Sequence, residues 1–184
     1  MVGEDFAAVL AAARSDDEEA FSVLWRDANP ALLRYLRVVI PEHAEDVAAE
    51  TWVQVLRGLQ TFTGDESAWR AWLFTTARRR VLDQVRHRNR HPSEPLDDIH
   101  AAEMPHTPGA EQIAMDNIAT EGAIALVSQL PAQQAEVIML RVVAGLETEV
   151  VAEMLGRSPG AVRVAAHRGL KRLAALLSGA GVTL

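Results

Sequence analysis

Apolar residues recur at helical spacing along most of the chain. In the N-terminal half this stripe comprises Phe21, Leu24, Trp25, Leu32, Leu33, Leu36 and Ile40. Similar stripes run through EHAEDVAAETWVQVLRGL, through WRAWLFTTARRRVLDQVRHRNR and, in the last third, through PAQQAEVIMLRVVAGL. No segment alternates apolar and polar residues for long enough to form a strand, so the pattern predicts an all-α protein. Asn29-Pro30 predicts a bend or a new helix start, because proline lacks the backbone donor that a helix needs.

The helical pattern is interrupted after Arg90. The following stretch, HPSEPLDDIHAAEMPHTPGAEQ, is rich in proline and acidic residues and has little periodicity, which is typical of a linker. The sequence therefore predicts two small helical domains, residues 1–91 and 120–184, joined by a flexible linker over 92–119.

The segment LETEVVAEMLGRSPGAVRVAAHRGLKRL predicts two helices joined by a tight turn. Thr148 can cap the first helix. Gly156 follows it at a position that favours a left-handed residue. Ser158 can then cap a second helix that begins with Pro159. This arrangement is that of a helix-turn-helix, whose second helix enters the major groove of DNA.

The second of these helices carries a basic face. Arg163, His167 and Lys171 recur every four residues, with Arg168 beside them. The small Ala165 lets the backbone approach a partner closely. An ordinary helical hairpin with a basic surface is the alternative, because two short helices with this pattern are common.

The net charge of −7 argues against a nucleic-acid partner until its distribution is considered. Residues 70–91 contain seven Arg and one Asp, and residues 157–172 contain five bases and no acid, whereas residues 92–131 contain seven acids and no base. Two basic blocks on an acidic chain are expected for local contacts with DNA phosphates. Solvated helix faces would give the same pattern for either block alone.

Several function classes lack their signatures. The chain has no cysteine, its six histidines show no metal-ligand spacing, and no GxSxG or phosphate-binding GxxxxGK occurs. We therefore expect no enzyme activity, cofactor, metal or small-molecule substrate. No apolar run approaches the roughly 20 residues that span a bilayer, and the N-terminus does not resemble a signal peptide. We expect a cytoplasmic protein without direct membrane insertion.

Three segments together resemble the extracytoplasmic function (group IV) sigma factors of the sigma-70 family. LVSQLPAQQAEVIMLRVVAGLETEVVAEMLGRSPGAVRVAAHRGLKRL is similar to their −35-binding domain. HAEDVAAETWVQVLRGLQTF resembles the segment that docks on the polymerase clamp, and WRAWLFTTARRRVLDQVRHRNR resembles the helix that meets the −10 element. The resemblance covers roughly residues 16–177. It implies a sigma factor with a region 2-like domain in residues 1–91 and a region 4-like domain in residues 120–184.

The resemblance also implies site residues. Contacts with the −35 element are expected at Ser158, Gly160, Arg163, Val164, His167, Arg168 and Lys171. Contacts with the −10 element are expected at Phe62, Asp65, Glu66, Ser67, Arg78, Arg79 and Arg86. Contacts with core polymerase are expected at Glu45, Asp46, Glu50 and Trp52. Arg163 is the expected base reader, because arginine bound to guanine is the commonest specific contact.

Some positions leave alternatives open or depart from the family pattern. Phe62 fits a core anchor equally well, and Trp69 and Trp72 favour a core position. Ala165 stands where the family commonly has arginine, and Gly169 replaces a better helix former at a cost of about 1 kcal/mol.

The expected partners are core RNA polymerase (its β′ clamp and β flap), promoter DNA and an anti-sigma factor, all implied by the resemblance. Two other classes of protein remain open. One is an operator-binding regulator that never engages core polymerase, and the other is a helical interaction protein such as an anti-sigma factor or an adaptor.

Overall fold

The computed structural model describes residues 2–90 and 120–179, and all regular elements in these ranges are helical. The N-terminal part contains α1 (Phe6–Ala13), α2 (Glu18–Val39), α3 (Ala44–Leu59) and α4 (Glu66–Arg90), with 3-10 turns at Gly3–Asp5 and Pro41–His43. The C-terminal part contains α5 (120–128), α6 (Ala132–Ile138) continued by a π-helical turn (Met139–Val143), α7 (Thr148–Leu155) and α8 (Pro159–Gly179). The predicted all-α class is confirmed. The predicted linker lies outside the described residues.

An aromatic core holds α2, α3 and α4 together. The rings of Tyr35 and Phe74 meet edge to face with centroids 5.6 Å apart. The indole of Trp52 lies 6.4 Å from that of Trp69. Tyr35, Trp69 and Phe74 are almost completely excluded from solvent. Because such pairs add to the free energy gained by burying their area, this cluster stabilises the packing of the three helices.

The new helix start predicted as one alternative at Asn29-Pro30 is wrong, because α2 continues through it. Pro30 lies on the exposed side of the helix, while Leu24, Leu32 and Leu36 are fully buried on the other side. The free energy gained by burying that apolar face exceeds the cost of the one backbone hydrogen bond that proline removes.

The two helices of the predicted helix-turn-helix are α7 and α8. Gly156 has φ 62° and ψ 41°, the left-handed conformation expected of it. Ser158 Oγ accepts a hydrogen bond from Ala161 N at 3.2 Å, as expected of an N-cap. The cap predicted at Thr148 is wrong: Glu147 occupies the N-cap position, and Thr148 is the buried first residue of α7.

Gly169 lies where α8 crosses α6. A Cβ on this residue would stand 2.5 Å from Ile138 Cδ1 and 3.4 Å from Gln134 Cβ. Glycine lowers the helix propensity at this position, but because it has no Cβ it allows the two helices to pack closely. This contact fixes how α8 is presented to solvent.

The two domains are packed against each other. Helix α2 of the N-terminal domain contacts α6 and the π-helical turn of the C-terminal domain. Buried residues of both domains belong to one continuous apolar cluster. In the described ranges, no helix has the length and apolar character needed to cross a membrane.

Candidate nucleic-acid and protein interfaces

The first four turns of α8 and the residue before them carry an exposed surface. It contains all seven residues predicted to contact the −35 element: Ser158, Gly160, Arg163, Val164, His167, Arg168 and Lys171. The opposite side of the helix is anchored by Val162, which is 1% exposed, and by the buried Gly169. The helix-turn-helix packing therefore directs these side chains away from the domain.

Arg163 forms an ion pair with Glu149 of α7, with Arg163 Nη2 2.8 Å from Glu149 Oε1. Both side chains are more than 60% exposed, so solvent screens the pair and leaves the guanidinium available to a stronger partner. Sequence reasoning did not identify Glu149. The sequence feature that could have identified it is an acidic residue in the first turn of α7, beside an otherwise basic surface.

A cleft of about 470 Å³ separates the start of α6 from α8. Its walls include Pro131, Gln133 and Val164, and Arg157 and Arg168 line it from the α8 side. Two guanidinium groups at an open cleft suit an anionic group such as a backbone phosphate. Sequence reasoning found the charge of Arg157 but not its position.

The residues predicted around the −10 element have structural partners of their own. Phe62 stacks on Trp72 with ring centroids 4.9 Å apart and an interplanar angle of 14°. Asp65 Oδ1 accepts from Ala68 N at 2.8 Å and so stabilises the start of α4. The Glu66 carboxylate accepts from Val2 N at 2.8 Å. Ser67 is exposed.

The three predicted arginines of α4 lie in different environments. Arg79 and Arg86 are exposed, and Arg86 pairs with Asp83 of its own helix at 3.1 Å. Arg78 is only 22% exposed, and its Nε lies 2.9 Å from the Glu136 carboxylate of α6. In this arrangement, Arg78 points toward the C-terminal domain.

Helix α3 presents an exposed acidic face containing Glu45, Asp46 and Glu50. Trp52 is not part of that face. It is 7% exposed, and its Nε1 donates to Asn29 Oδ1 at 2.9 Å. The prediction that the Trp52 side chain contacts polymerase thus disagrees with its burial: at helical spacing from the exposed stripe, position 52 faces the core.

Two exposed apolar residues extend the acidic face of α3. Val53 is 46% and Leu56 is 50% exposed. A mixed acidic and apolar surface is suited to a protein partner with a basic rim. The signal for these two residues was present in the sequence, since they fall outside the buried stripe of α3.

Comparison with known proteins identifies the family of the chain. The model of Sigma-70 region 2 matches residues 24–91, and the model of Sigma-70 region 4 matches residues 121–173. The chain is 37% identical over 171 residues to the ECF RNA polymerase sigma factor ShbA of Streptomyces griseus, covering 87% of this chain and 88% of that protein. The chain belongs to the extracytoplasmic function (ECF) sigma factors of the sigma-70 family.

Other ECF sigma factors agree with this assignment. The SigD protein of Mycobacterium tuberculosis is 33% identical over 182 residues, covering 94% of this chain and 84% of SigD. The fold is similar to that of CnrH in its complex with the cytosolic domain of CnrY, with a TM-score of 0.62, 24% identity, and coverage of 96% of this chain and 99% of CnrH.

This ECF sigma factor is a promoter-recognising subunit of RNA polymerase and a transcription initiation factor, which is not a classical enzyme. Residues 24–91 correspond to region 2, and residues 121–173 to region 4. The family match removes the two alternatives of an operator-binding regulator and an unrelated helical adaptor.

Proposed function

We propose that this sigma factor reads the −35 element with the exposed face of α8, contacts the −10 element through α4 and the loop before it, and docks on the polymerase clamp with the acidic face of α3. The observation that carries this proposal is the exposure of a basic face on one domain and an acidic face on the other. Each face suits a different partner, DNA for the first and a basic protein surface for the second.

At the −35 element, Arg163 reads a base and Arg168 and Lys171 contact phosphates. Arg163 is in the second turn of α8, close to the helix start, which is the part of a recognition helix that reaches base edges. Arg168 lines the cleft with Arg157, where a backbone phosphate can lie between two guanidinium groups. In the absence of DNA, Glu149 pairs with Arg163 at 2.8 Å, and this pair breaks when guanine O6 and N7 accept two hydrogen bonds from the guanidinium group.

At the −10 element, the exposed Arg79 and Arg86 contact phosphates, and Ser67, in the first turn of α4, lies beside the loop that receives an unpaired base. Phe62 supports that loop from its position on Trp72. Asp65 and Glu66 hold the start of α4 and the N-terminal turn in place, and so position the same loop. Promoter opening needs contacts with the exposed strand to offset an unpairing cost of a few kcal/mol per extruded base.

At the polymerase, Glu45, Asp46 and Glu50 face the β′ clamp, with Val53 and Leu56 as the apolar centre of the contact. Trp52 is buried beneath this face, where its hydrogen bond to Asn29 of α2 holds α3 in place. Region 4 contacts the β flap, a partner that the family implies.

We also infer regulation by an anti-sigma factor. The structurally similar sigma factor RpoE of Bartonella quintana was solved in complex with the anti-sigma factor NepR, with a TM-score of 0.61 and 24% identity over 86% of this chain and 96% of RpoE. The protein acts in the cytoplasm, where bacterial polymerase works, and needs no enzyme activity, cofactor, metal or small-molecule substrate of its own.

Reconstituted transcription with two sets of variants tests these assignments. Arg163→Ala is expected to lose preference for the −35 sequence while binding core polymerase normally. Asp46→Ala with Glu50→Ala is expected to weaken core binding. Glu153→Gln, an exposed change on α7, is the matched control. Unchanged behaviour in both sets would refute the assigned faces.

A further inference from the structure

The contact between regions 2 and 4 includes a partly buried ion pair. Arg78 Nε of α4 lies 2.9 Å from Glu136 Oε1 of α6, and the two side chains are 22% and 24% exposed. The Tyr35 hydroxyl of α2 donates to the same carboxylate oxygen at 3.5 Å. Burial, together with the negative charge of Glu136, raises the pKa of Tyr35 well above its ordinary range. Tyr35 is therefore a neutral donor to Glu136 at all physiological pH values.

Two further arginines of region 2 reach region 4. Arg70 Nη1 donates to the Ala144 carbonyl at 3.4 Å, while its Nη2 pairs with Asp27 at 2.9 Å. Arg37 Nη1 pairs with Glu121 at 2.9 Å. Region 2 thus holds region 4 by three guanidinium groups around the apolar contact of α2 with α6.

This closed arrangement is too small to recognise a promoter at both elements. The −35 and −10 positions are about 25 base pairs apart, or roughly 85 Å along B-DNA. Residues 2–90 and 120–179, packed as one compact body, have a radius of gyration of about 15 Å and a diameter of roughly 40 Å. The chain between residues 90 and 120 reaches roughly 100 Å when extended. The covalent connection allows the required separation, but the contact between the domains does not.

We propose that Glu136 is the latch of an autoinhibited closed state: it holds region 4 against region 2 and occupies Arg78, which then cannot contact −10 DNA until the domains separate. The DNA part of this inference rests on the proposed contact of α4 with the −10 element, in which the family resemblance includes Arg78. The closed state itself rests only on the contacts between the domains.

The latch competes directly with DNA for one guanidinium group. Arg78 Nε is directed at Glu136, and a phosphate approaching Arg78 from solvent must displace that carboxylate. Because neither side chain is fully hydrated in the closed state, removing the charge of Glu136 leaves Arg78 without its counter-charge and destabilises that state. Arg79 and Arg86 are exposed in the same helix and give residual DNA affinity without opening.

The distance between the domains provides the first test. The chain contains no cysteine, so a donor and an acceptor dye can be placed at Ala8→Cys and Ala175→Cys, both exposed and on different domains. Glu136→Gln is expected to shift the closed-to-open ratio about tenfold or more toward open, seen as lower transfer efficiency. Glu153→Gln removes a charge from an exposed position of the same domain and is expected to leave the efficiency unchanged.

Binding of single-stranded −10 DNA by the full-length chain provides the second test. Glu136→Gln is expected to bind a non-template oligonucleotide severalfold more tightly than the unmodified chain, and Arg78→Gln in the same background is expected to remove that gain. Unchanged transfer efficiency in Glu136→Gln would overturn the latch. Opening without any gain in DNA affinity would overturn its inhibitory role, while leaving the closed contact and the sigma-factor assignment intact.

A second variant covers the case in which Glu136→Gln does not fold. Tyr35→Phe removes only the hydroxyl that donates to Glu136 and retains the buried ring. It is expected to shift the transfer efficiency in the same direction by a smaller amount. A Tyr35→Phe protein that is folded and as closed as the unmodified chain, with no change in oligonucleotide affinity, would also overturn the proposal.

Discussion

Gly169 lies directly over Ile138 in the contact between α8 and α6, where a Cβ would stand 2.5 Å from Ile138 Cδ1. Ile138 is 4% exposed and has little room to move. This close approach helps to set the orientation of α8 against α6, and therefore the direction of the side chains proposed to read the −35 element.

Gly169→Ala is expected to destabilise region 4, although alanine is the better helix former. Overpacking costs about 1–3 kcal/mol, and the gain in helix propensity offsets about 1 kcal/mol of it. Thermal unfolding measures the net loss. Gly122→Ala is the matched control, because nothing lies within 4 Å of a Cβ at Gly122, and it is expected to raise stability by up to about 1 kcal/mol.

A second substitution tests whether Ile138 is the cause. Ile138→Val removes the Cδ1 atom and is expected to cost less in the Gly169→Ala background than in the unmodified chain. Equal costs in both backgrounds would show that the two residues do not interact, and would contradict this explanation of Gly169.

Trp52→Phe separates support of the acidic face from direct contact with polymerase. The change leaves Asn29 Oδ1 buried without its donor, which costs about 1–3 kcal/mol of the free energy of unfolding. Core affinity of the folded fraction is expected to stay unchanged. Asp46→Asn with Glu50→Gln is expected to give the opposite result, with normal stability and weaker core binding. A large loss of affinity for core polymerase in a stable Trp52→Phe protein would show that Trp52 contacts polymerase directly.

Base reading and phosphate anchoring on α8 give different signatures. Arg163→Ala is expected to relax preference at one base pair of the −35 element by about 1–3 kcal/mol. Arg168→Ala is expected to weaken binding to all sequences alike and to reduce the slope of log affinity against log salt by about 1. Binding measured on a panel of single-base variants at several salt concentrations distinguishes the two. A uniform loss in Arg163→Ala would contradict its assignment as base reader.

Tyr35 limits the stability of the folded protein at alkaline pH. Its pKa is raised in the folded state by burial first and by Glu136 second, so the folded chain binds this proton more tightly than the unfolded chain. The corresponding stability is fully present below the unfolded pKa of about 10 and is lost as the pH rises above it. Tyr35 is the only tyrosine, so tyrosinate absorbance reports on it alone. Tyrosinate is expected only on unfolding above pH 10, and Tyr35→Phe is expected to lose less stability there.

A native protein that stays closed and gains tyrosinate absorbance at pH 10 without unfolding would contradict the burial of Tyr35. The control is the same titration in denaturant, where the hydroxyl is expected to titrate near its ordinary pKa.

The helices and their turns could be predicted from local chemistry. Gly156 and Ser158 adopt the conformations that their residue types favour at a helix end and a helix start. Pro30 could not be predicted in the same way, because the burial of Leu24 and Leu32 on the far side of α2 decides the outcome and involves residues distant in sequence. Gly169 is a similar case, since its reason is a contact with α6.

The site could be predicted where exposure follows from helical spacing, as it does for Arg163 and Lys171. It could not be predicted where a side chain has a partner far along the chain. Arg78 is held by Glu136, 58 residues away, and Glu66 accepts a hydrogen bond from Val2 N, 64 residues away. Neither pairing leaves a periodic signal in the sequence.

The most direct test of the central claim is transcription from genomic DNA by core RNA polymerase with and without this protein, with the 5′ ends mapped. Two-point promoter recognition predicts new start sites that appear only with the protein and share one motif near −35 and another near −10. Mutating either motif is expected to abolish initiation. With an active core enzyme, the absence of any protein-dependent start site, or start sites without the two spaced motifs, would contradict the account.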